Sequence, residues 1–240
     1  ADATTALTGV PETGAVAPDS VADALNDGQL SRSLGELVSR RVQFLTDYQD
    51  AAYAARYQGL VERVREAEQA QAPGSTALTE AVARNFFKLL AYKDEYEVAR
   101  LYTQGDFLAQ VAQQFEGDYR VHLHLAPPLL AKRDADGHLV KRAYGPWMLR
   151  AFALLARFKR LRGSALDPFG RTDERRMERQ LIADYQAIVE ELIAGLSPSR
   201  LALAVDIAAL PAQIRGYGHV KERHLERVMA RQTTLLATWR

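Results

Sequence analysis

The 240 residues carry 31 Lys and Arg against 30 Asp and Glu, a net charge of +1, with 48 % hydrophobic residues and no cysteine. This balance gives the whole chain no preference for nucleic acid or a membrane surface, and the missing thiols exclude disulfides, Cys-ligated zinc and Cys-ligated iron–sulfur clusters within it. No apolar run approaches the ~20 residues of a membrane span, and the N-terminus lacks the pattern of a secretory signal. The absence of cysteine fits a reducing, cytoplasmic compartment. A start at Ala1 without Met reads as a processed or excised piece.

Residues 1–31 contain Asp2, Glu12, Asp19, Asp23 and Asp27 and no Lys or Arg, a net charge of −5. Their Ala, Thr, Gly and Pro content makes residues 1–19 a linker or a strap lying on another surface, ahead of a single helical domain over residues 20–240. Ser33 and Glu36 form a capping box. The stripe Val38, Leu45, Ala52, then Tyr53, Tyr57, Leu60, Val64 and Ala67, predicts one long helix with drift or a bend at Ala52 and Tyr53. Pro73-Gly74 ends it. Thr76 is placed to cap a second helix with Leu78, Val82, Phe86, Leu89 and Leu90 inward, running to about Gly105. Phe107, Leu108, Val111, Ala112 and Phe115 predict a shorter amphipathic helix closed by Gly117-Asp118.

The alternation from Tyr119 to Leu125 predicts a strand, ended by Pro127-Pro128; Asp134 to Gly137 is a turn and Leu139 to Tyr144 a return strand. Pro146 suits the first position of the next helix. Its broad face of Trp147, Met148, Ala151, Phe152, Leu154, Leu155 and Phe158 predicts a central helix. After a loop to Arg171, Thr172 caps a helix with Asp173 and Glu174 in its first turn and Met177, Leu181, Tyr185, Ile188 and Leu192 inward. Ser197-Pro198 opens another, and a last one runs from about Val220 to Trp239. The expected fold is mainly α, a multi-helix bundle with a small two-stranded β insertion near residues 119–144.

Four constellations hold candidate chemistry. His122 and His124 stand two apart on a strand and could share a metal, but the sequence supplies no identifiable third ligand; Asp134 and Asp136 also suit a turn, so packed or hydrogen-bonded histidines are the preferred reading and no metal site is assigned. Residues 157–179 hold eight Lys and Arg against four Asp and Glu, a net charge of +4. Arg162, Arg171, Arg175 and Arg176 there could bind an anion or an acidic partner, or pair internally with Asp173, Glu174, Glu178 and the acidic N-terminus. Arg215, His219 and Lys221 flank Gly216 and Gly218, whose freedom allows a close-approach backbone; this is the best anion-binding loop, with a polar inter-helix turn as the alternative. Lys93, Asp94, Glu95, Glu97 and Arg100 sit among three tyrosines. A ladder Asp94–Glu97–Arg100 with Lys93 reads as a structural ion-pair network rather than as catalytic groups, and no catalytic residue is assigned. There is no phosphate loop, no dinucleotide fingerprint and no nucleophile elbow.

Six stretches in order carry a resemblance: residues 88–103 (from Lys88-Leu-Leu-Ala-Tyr to Arg-Leu-Tyr-Thr103), 124–131 (His-Leu-Ala-Pro-Pro-Leu-Leu-Ala), 145–148 (Gly-Pro-Trp-Met), 161–170 (Leu-Arg-Gly-Ser-Ala-Leu-Asp-Pro-Phe-Gly), 172–179 (Thr-Asp-Glu-Arg-Arg-Met-Glu-Arg) and 214–221 (Ile-Arg-Gly-Tyr-Gly-His-Val-Lys). Together they resemble the C-terminal region of fused bacterial indolepyruvate ferredoxin oxidoreductases over about residues 30–225. That resemblance implies an enzyme that decarboxylates an arylpyruvate on thiamine diphosphate and Mg, passes electrons through [4Fe-4S] clusters to ferredoxin, and gives the acyl group to coenzyme A. The thiamine and cluster motifs of such enzymes lie upstream. Here Gly117-Asp118 resembles the start of a thiamine diphosphate motif, but the only asparagines, Asn26 and Asn85, precede it. The implied role is an accessory domain packed against upstream catalytic domains in a cytoplasmic homo-oligomer, with Arg157 to Arg179 or Arg215 to Lys221 guiding coenzyme A or acidic ferredoxin. The alternative is a stand-alone helical binding module.

Overall fold

The structure is a computed structural model that describes residues 33–104, 107–115, 120–125, 140, 142–216 and 219–240. The expected strap over residues 1–19, Gly117-Asp118 and the turn at Asp134 and Asp136 lie outside the described residues. The fold is mainly α with a small two-stranded antiparallel sheet.

Helix α1 spans Leu34–Tyr48, and the Ser33 hydroxyl accepts from the Glu36 amide as the capping box requires. The single long helix is corrected to two. Gln49 and Asp50 leave helical conformation, and the Asp50 side chain caps α2 (Ala51–Gln71) by accepting from Tyr53 N at 2.9 Å. The buried stripe of α1 is Leu37, Arg41, Leu45 and Tyr48, while Ala52 is exposed.

Helix α3 spans Ala77–Leu90. Thr76 stands at its cap but makes no side-chain cap bond. Glu68, in the last turn of α2 and 1 % exposed, does the work instead. Its two oxygens accept from Leu78 N (3.0 Å), Thr79 N (2.8 Å), Thr79 Oγ1 (2.7 Å) and Ser75 Oγ (2.7 Å). Burial acts to raise the Glu68 pKa, but these four donors hold the carboxyl below its ordinary value. The second helix also stops earlier than its periodicity predicts: α3 ends at Leu90, and α4 (Glu95–Gln104) begins after a four-residue break.

Helices α1, α2, α3, α7 (Asp173–Ala194), α8 (Leu201–Ala208) and α9 (His219–Trp239) share the main core, with Tyr57, Phe86 and Tyr185 in a stacked aromatic row. A second layer holds α4, α5 (Phe107–Gln114), strands β1 (Leu123–Leu125) and β2 (Arg142–Tyr144), and α6 (Trp147–Arg157), with α4 packed chiefly on α6. In the sheet Leu123 faces Tyr144 and Leu125 faces Arg142. Short 3-10 turns at Lys159–Leu161, Pro198–Arg200 and Leu210–Gln213 join the helices. The expectation of a central α6 is corrected. Only Met148 and Ala156 are buried on it, while Trp147 and Leu154 are each 57 % exposed.

Candidate functional site

The break between α3 and α4 is where local structure and long-range pairing meet. Asp94 leaves the helix so that its Oδ1 can accept from Glu97 N at 2.8 Å and cap α4. The same carboxylate receives the Arg162 fork, Nε to Oδ2 at 2.5 Å and Nη2 to Oδ1 at 2.9 Å. Arg162 also donates to Tyr48 O at 2.6 Å, and its guanidinium lies 3.6 Å from the centre of the Tyr48 ring. Both partners are buried, Asp94 3 % and Arg162 5 % exposed. Two charges are tolerated there because each guanidinium nitrogen and each carboxylate oxygen has a partner.

The expected ladder is therefore divided. Glu97, fully buried, pairs with Arg100 through two 2.8 Å bonds, but Asp94 turns away to Arg162. Glu95 faces Arg175 at 3.6 Å, and burial raises its pKa against the pull of that arginine. Lys93 lines a groove on the other side of the break.

Beside this pair, the loop after α6 wraps Asp167. Its carboxylate accepts from Gly163 N (2.7 Å), Phe169 N (3.0 Å) and Tyr96 OH (3.2 Å). Gly163 has φ +72°, and a Cβ at Gly170 would come within 2.6 Å of Asp167 Oδ2, so both positions demand glycine. Arg179 donates to Gly170 O at 2.6 Å and ties the loop to α7.

The groove, of about 780 Å³, runs between α3, the first turns of α7 and the loop before α9. Six cationic residues line it: Arg41, Arg84, Lys88, Lys93, Arg215 and Lys221. Two carboxylates, Glu174 and Glu178, oppose them. Glu178 is already engaged, by Arg175 on one oxygen and by Lys221 at 2.7 Å on the other. Lys88 donates to the carbonyls of Pro211 (2.9 Å), Ala212 (3.0 Å) and Ile214 (2.8 Å), so it pins the segment that carries Arg215. Burial, with Arg215 and Lys221 nearby, lowers the Lys88 pKa from 10.5 to about 8.

The expected anion-binding residues thus separate. Arg215 and Lys221 do meet in the groove; His219 opens α9, and its side chain is outside the described residues. Arg162 is corrected, because its guanidinium is committed to Asp94 and Tyr48. Arg175 is corrected too: it is 8 % exposed and paired with Glu178, Glu95 and Glu174, the internal alternative. Arg176 is exposed and holds Asp173 at 2.8 Å, and Arg171 reaches only Ala165 O at 3.5 Å; neither lines the groove. Sequence reasoning passed over Arg41, Arg84 and Lys88. Arg84 and Lys88 stand four apart on α3, with Glu80 four residues before Arg84, a local sign of a shared polar face. His122 and His124 are exposed on either side of buried Leu123, and among the described residues no three metal-ligating side chains converge.

Fold and site together define a helical scaffold with a buried ion-pair junction beside a cationic groove. The chain belongs to DUF6537, a family of unknown function, which it matches over residues 34–234. No curated protein and no solved structure matches it. Among the described residues, no helix is long and apolar enough to cross a membrane.

Proposed function

We propose that this chain is the accessory C-terminal domain of a cytoplasmic indolepyruvate ferredoxin oxidoreductase-like enzyme, which oxidatively decarboxylates arylpyruvates to acyl-coenzyme A and reduces ferredoxin. The domain packs against the upstream catalytic domains of the same polypeptide and steadies their homo-oligomeric assembly. The observation that carries this reading is the outer face of α6. Trp147 and Leu154, seven residues apart on α6, are each 57 % exposed, and Phe158 just past its end is 48 % exposed. Trp147 belongs to a stretch that carries the resemblance, yet among the described residues its one aromatic contact is an edge-on meeting with Tyr144. A row of large apolar side chains left in water marks a surface that another protein surface covers.

Four of the six resembling stretches support the reading by meeting at one place. Asp94 joins Arg162, Tyr96 joins Asp167, Arg175 joins Glu95, and Lys221 joins Glu178. Cofactor groups do not fit here. Without cysteine the chain has no thiolate for a [4Fe-4S] cluster, and no asparagine follows Asp118 to complete a thiamine–Mg motif. Both belong to the upstream domains in this reading.

The test is the full-length polypeptide carrying Trp147→Ser and Leu154→Ser. Loss of the native oligomer and of arylpyruvate-dependent ferredoxin reduction, with helical circular dichroism retained, is the expected result. A variant that assembles and turns over as the parent does, or a parent without thiamine-dependent activity, overturns the proposal. The second reading is a stand-alone helical binding module, favoured by a concave groove in which Arg84 and Arg215 meet.

A further inference from the structure

We propose that the groove between α3, the start of α7 and the loop before α9 binds an organic phosphate. This inference rests on the groove alone and holds with or without the oxidoreductase reading.

Charge comes first. Six cationic side chains face two carboxylates, and one of those, Glu178, is held by Arg175 and Lys221. Cations outnumber carboxylates along the lining, so the groove favours an anion. Availability comes second. Arg84 is half-buried and Arg215 exposed, and neither side chain makes an ion pair or hydrogen bond among the described residues. Guanidinium forks of this kind match pairs of phosphate oxygens.

Preorganisation comes third. Lys88 fixes the 211–214 segment through three carbonyls, so Arg215 is presented from an anchored loop. Gly216 follows with φ +84°, and a Cβ there would meet Val220 Cγ1 at 2.7 Å; only glycine lets the loop turn this closely onto α9. Burial, and after it the charges of Arg215 and Lys221, lowers the Lys88 pKa, and a bound anion offsets the repulsion among the three cations. Lastly, Leu89, Tyr92, Leu181 and Ile214 give the groove an apolar wall, which suits an organic body attached to the phosphate. A concave site of about 780 Å³ in a chain of net charge +1 fits a small molecule better than a nucleic acid surface.

The experiment is calorimetric titration of the 240-residue chain, at low ionic strength, with phenyl phosphate and with inorganic phosphate. Both bind, and phenyl phosphate binds about tenfold more tightly because its ring reaches the apolar wall. Arg84→Ala and Arg215→Ala each weaken both by about tenfold, since neither change removes an internal pair. Arg176→Ala, on an exposed residue outside the groove, leaves binding unchanged. Silence of both probes at millimolar concentration overturns the proposal, as does undiminished binding in both groove variants. A synthetic peptide of residues 17–31 that binds where phenyl phosphate does not makes the groove an acidic-polypeptide site and overturns it equally.

Discussion

Asp94 shows how one side chain can serve a local and a distant task together. As a cap it ends the break before α4, and as a counter-ion it neutralises Arg162, sixty-eight residues away and 5 % exposed. Replacing Asp94 by Ala removes the cap and leaves a guanidinium buried without its charge partner. The expected loss is about 3–5 kcal/mol in urea denaturation. Asp94→Ala with Arg162→Met recovers part of that loss, because no unpaired charge remains. A single variant within about 1 kcal/mol of the parent would sink the structural reading of the pair. In sequence Asp94 and Glu97 look like two rungs of one helical ladder, three residues apart. Only the Glu97–Arg100 rung forms. The partner of Asp94 sits beyond α6, far along the chain, and nothing in the spacing of residues 93–100 points to it. Arg41 is similar: it donates to Ala83 O at 2.7 Å from a position 1 % exposed, where the pattern alone predicts a small or apolar residue.

At the scale of elements, the starts of helices were legible and their interruptions were not. Ser33 and Thr172 cap α1 and α7 through the expected side-chain bonds, and the strands pair within the alternating stretches but are shorter, Leu123–Leu125 against Arg142–Tyr144. The breaks at Asp50 and Asp94 are hidden in the sequence for a shared reason. Each is short, apolar residues resume at once on the far side, and the hydrophobic period bridges the gap. The carboxylate that makes each break looks from sequence like a solvated helix residue. Asp50→Ala is expected to cost about 1 kcal/mol, the ordinary worth of a side-chain N-cap, without fusing α1 to α2. Fusion is opposed because Tyr48 O is taken by Arg162 and Tyr53 OH is anchored on Leu90 O at 3.0 Å. Urea midpoints measure the cost; a rise in helical circular dichroism would signal fusion and refute this account. The exposure of α6 has a different origin. A wide apolar face says that a helix is covered, and it does not say whether the cover belongs to the same domain.

The whole molecule has an alkaline response that joins fold to groove. Lys88 is held near pKa 8 by burial and by its cationic neighbours, against 10.5 in an ordinary setting. Between those values the unfolded chain keeps a proton that the native chain has released, so stability rises with pH across that window. Lys159, also depressed by burial, acts in the same direction. Burial raises the pKa values of Tyr48, Tyr53, Tyr92, Tyr96 and Tyr185 above 10.0, and these act oppositely. Above pH 10 the unfolded chain loses tyrosine protons that the native chain keeps, and stability falls by up to about 1.4 kcal/mol per pH unit for each tyrosine. The expected profile climbs from pH 8, peaks between about pH 9 and 10, and then collapses. Lys88→Met flattens the climb and leaves the collapse, as urea midpoints at half-unit intervals will read. Parallel profiles for the parent and Lys88→Met from pH 8 to 10 would show that Lys88 keeps its proton in the native state. Phosphate affinity moves the other way, since the proton whose loss relieves the fold is one of the charges that attract the ligand. A bound phosphate raises the Lys88 pKa, so titration with phenyl phosphate near pH 8.5 takes up protons, and the measured heat changes with the ionisation enthalpy of the buffer. Heats that do not depend on the buffer at that pH, with binding intact, would separate the ligand site from the Lys88 clamp.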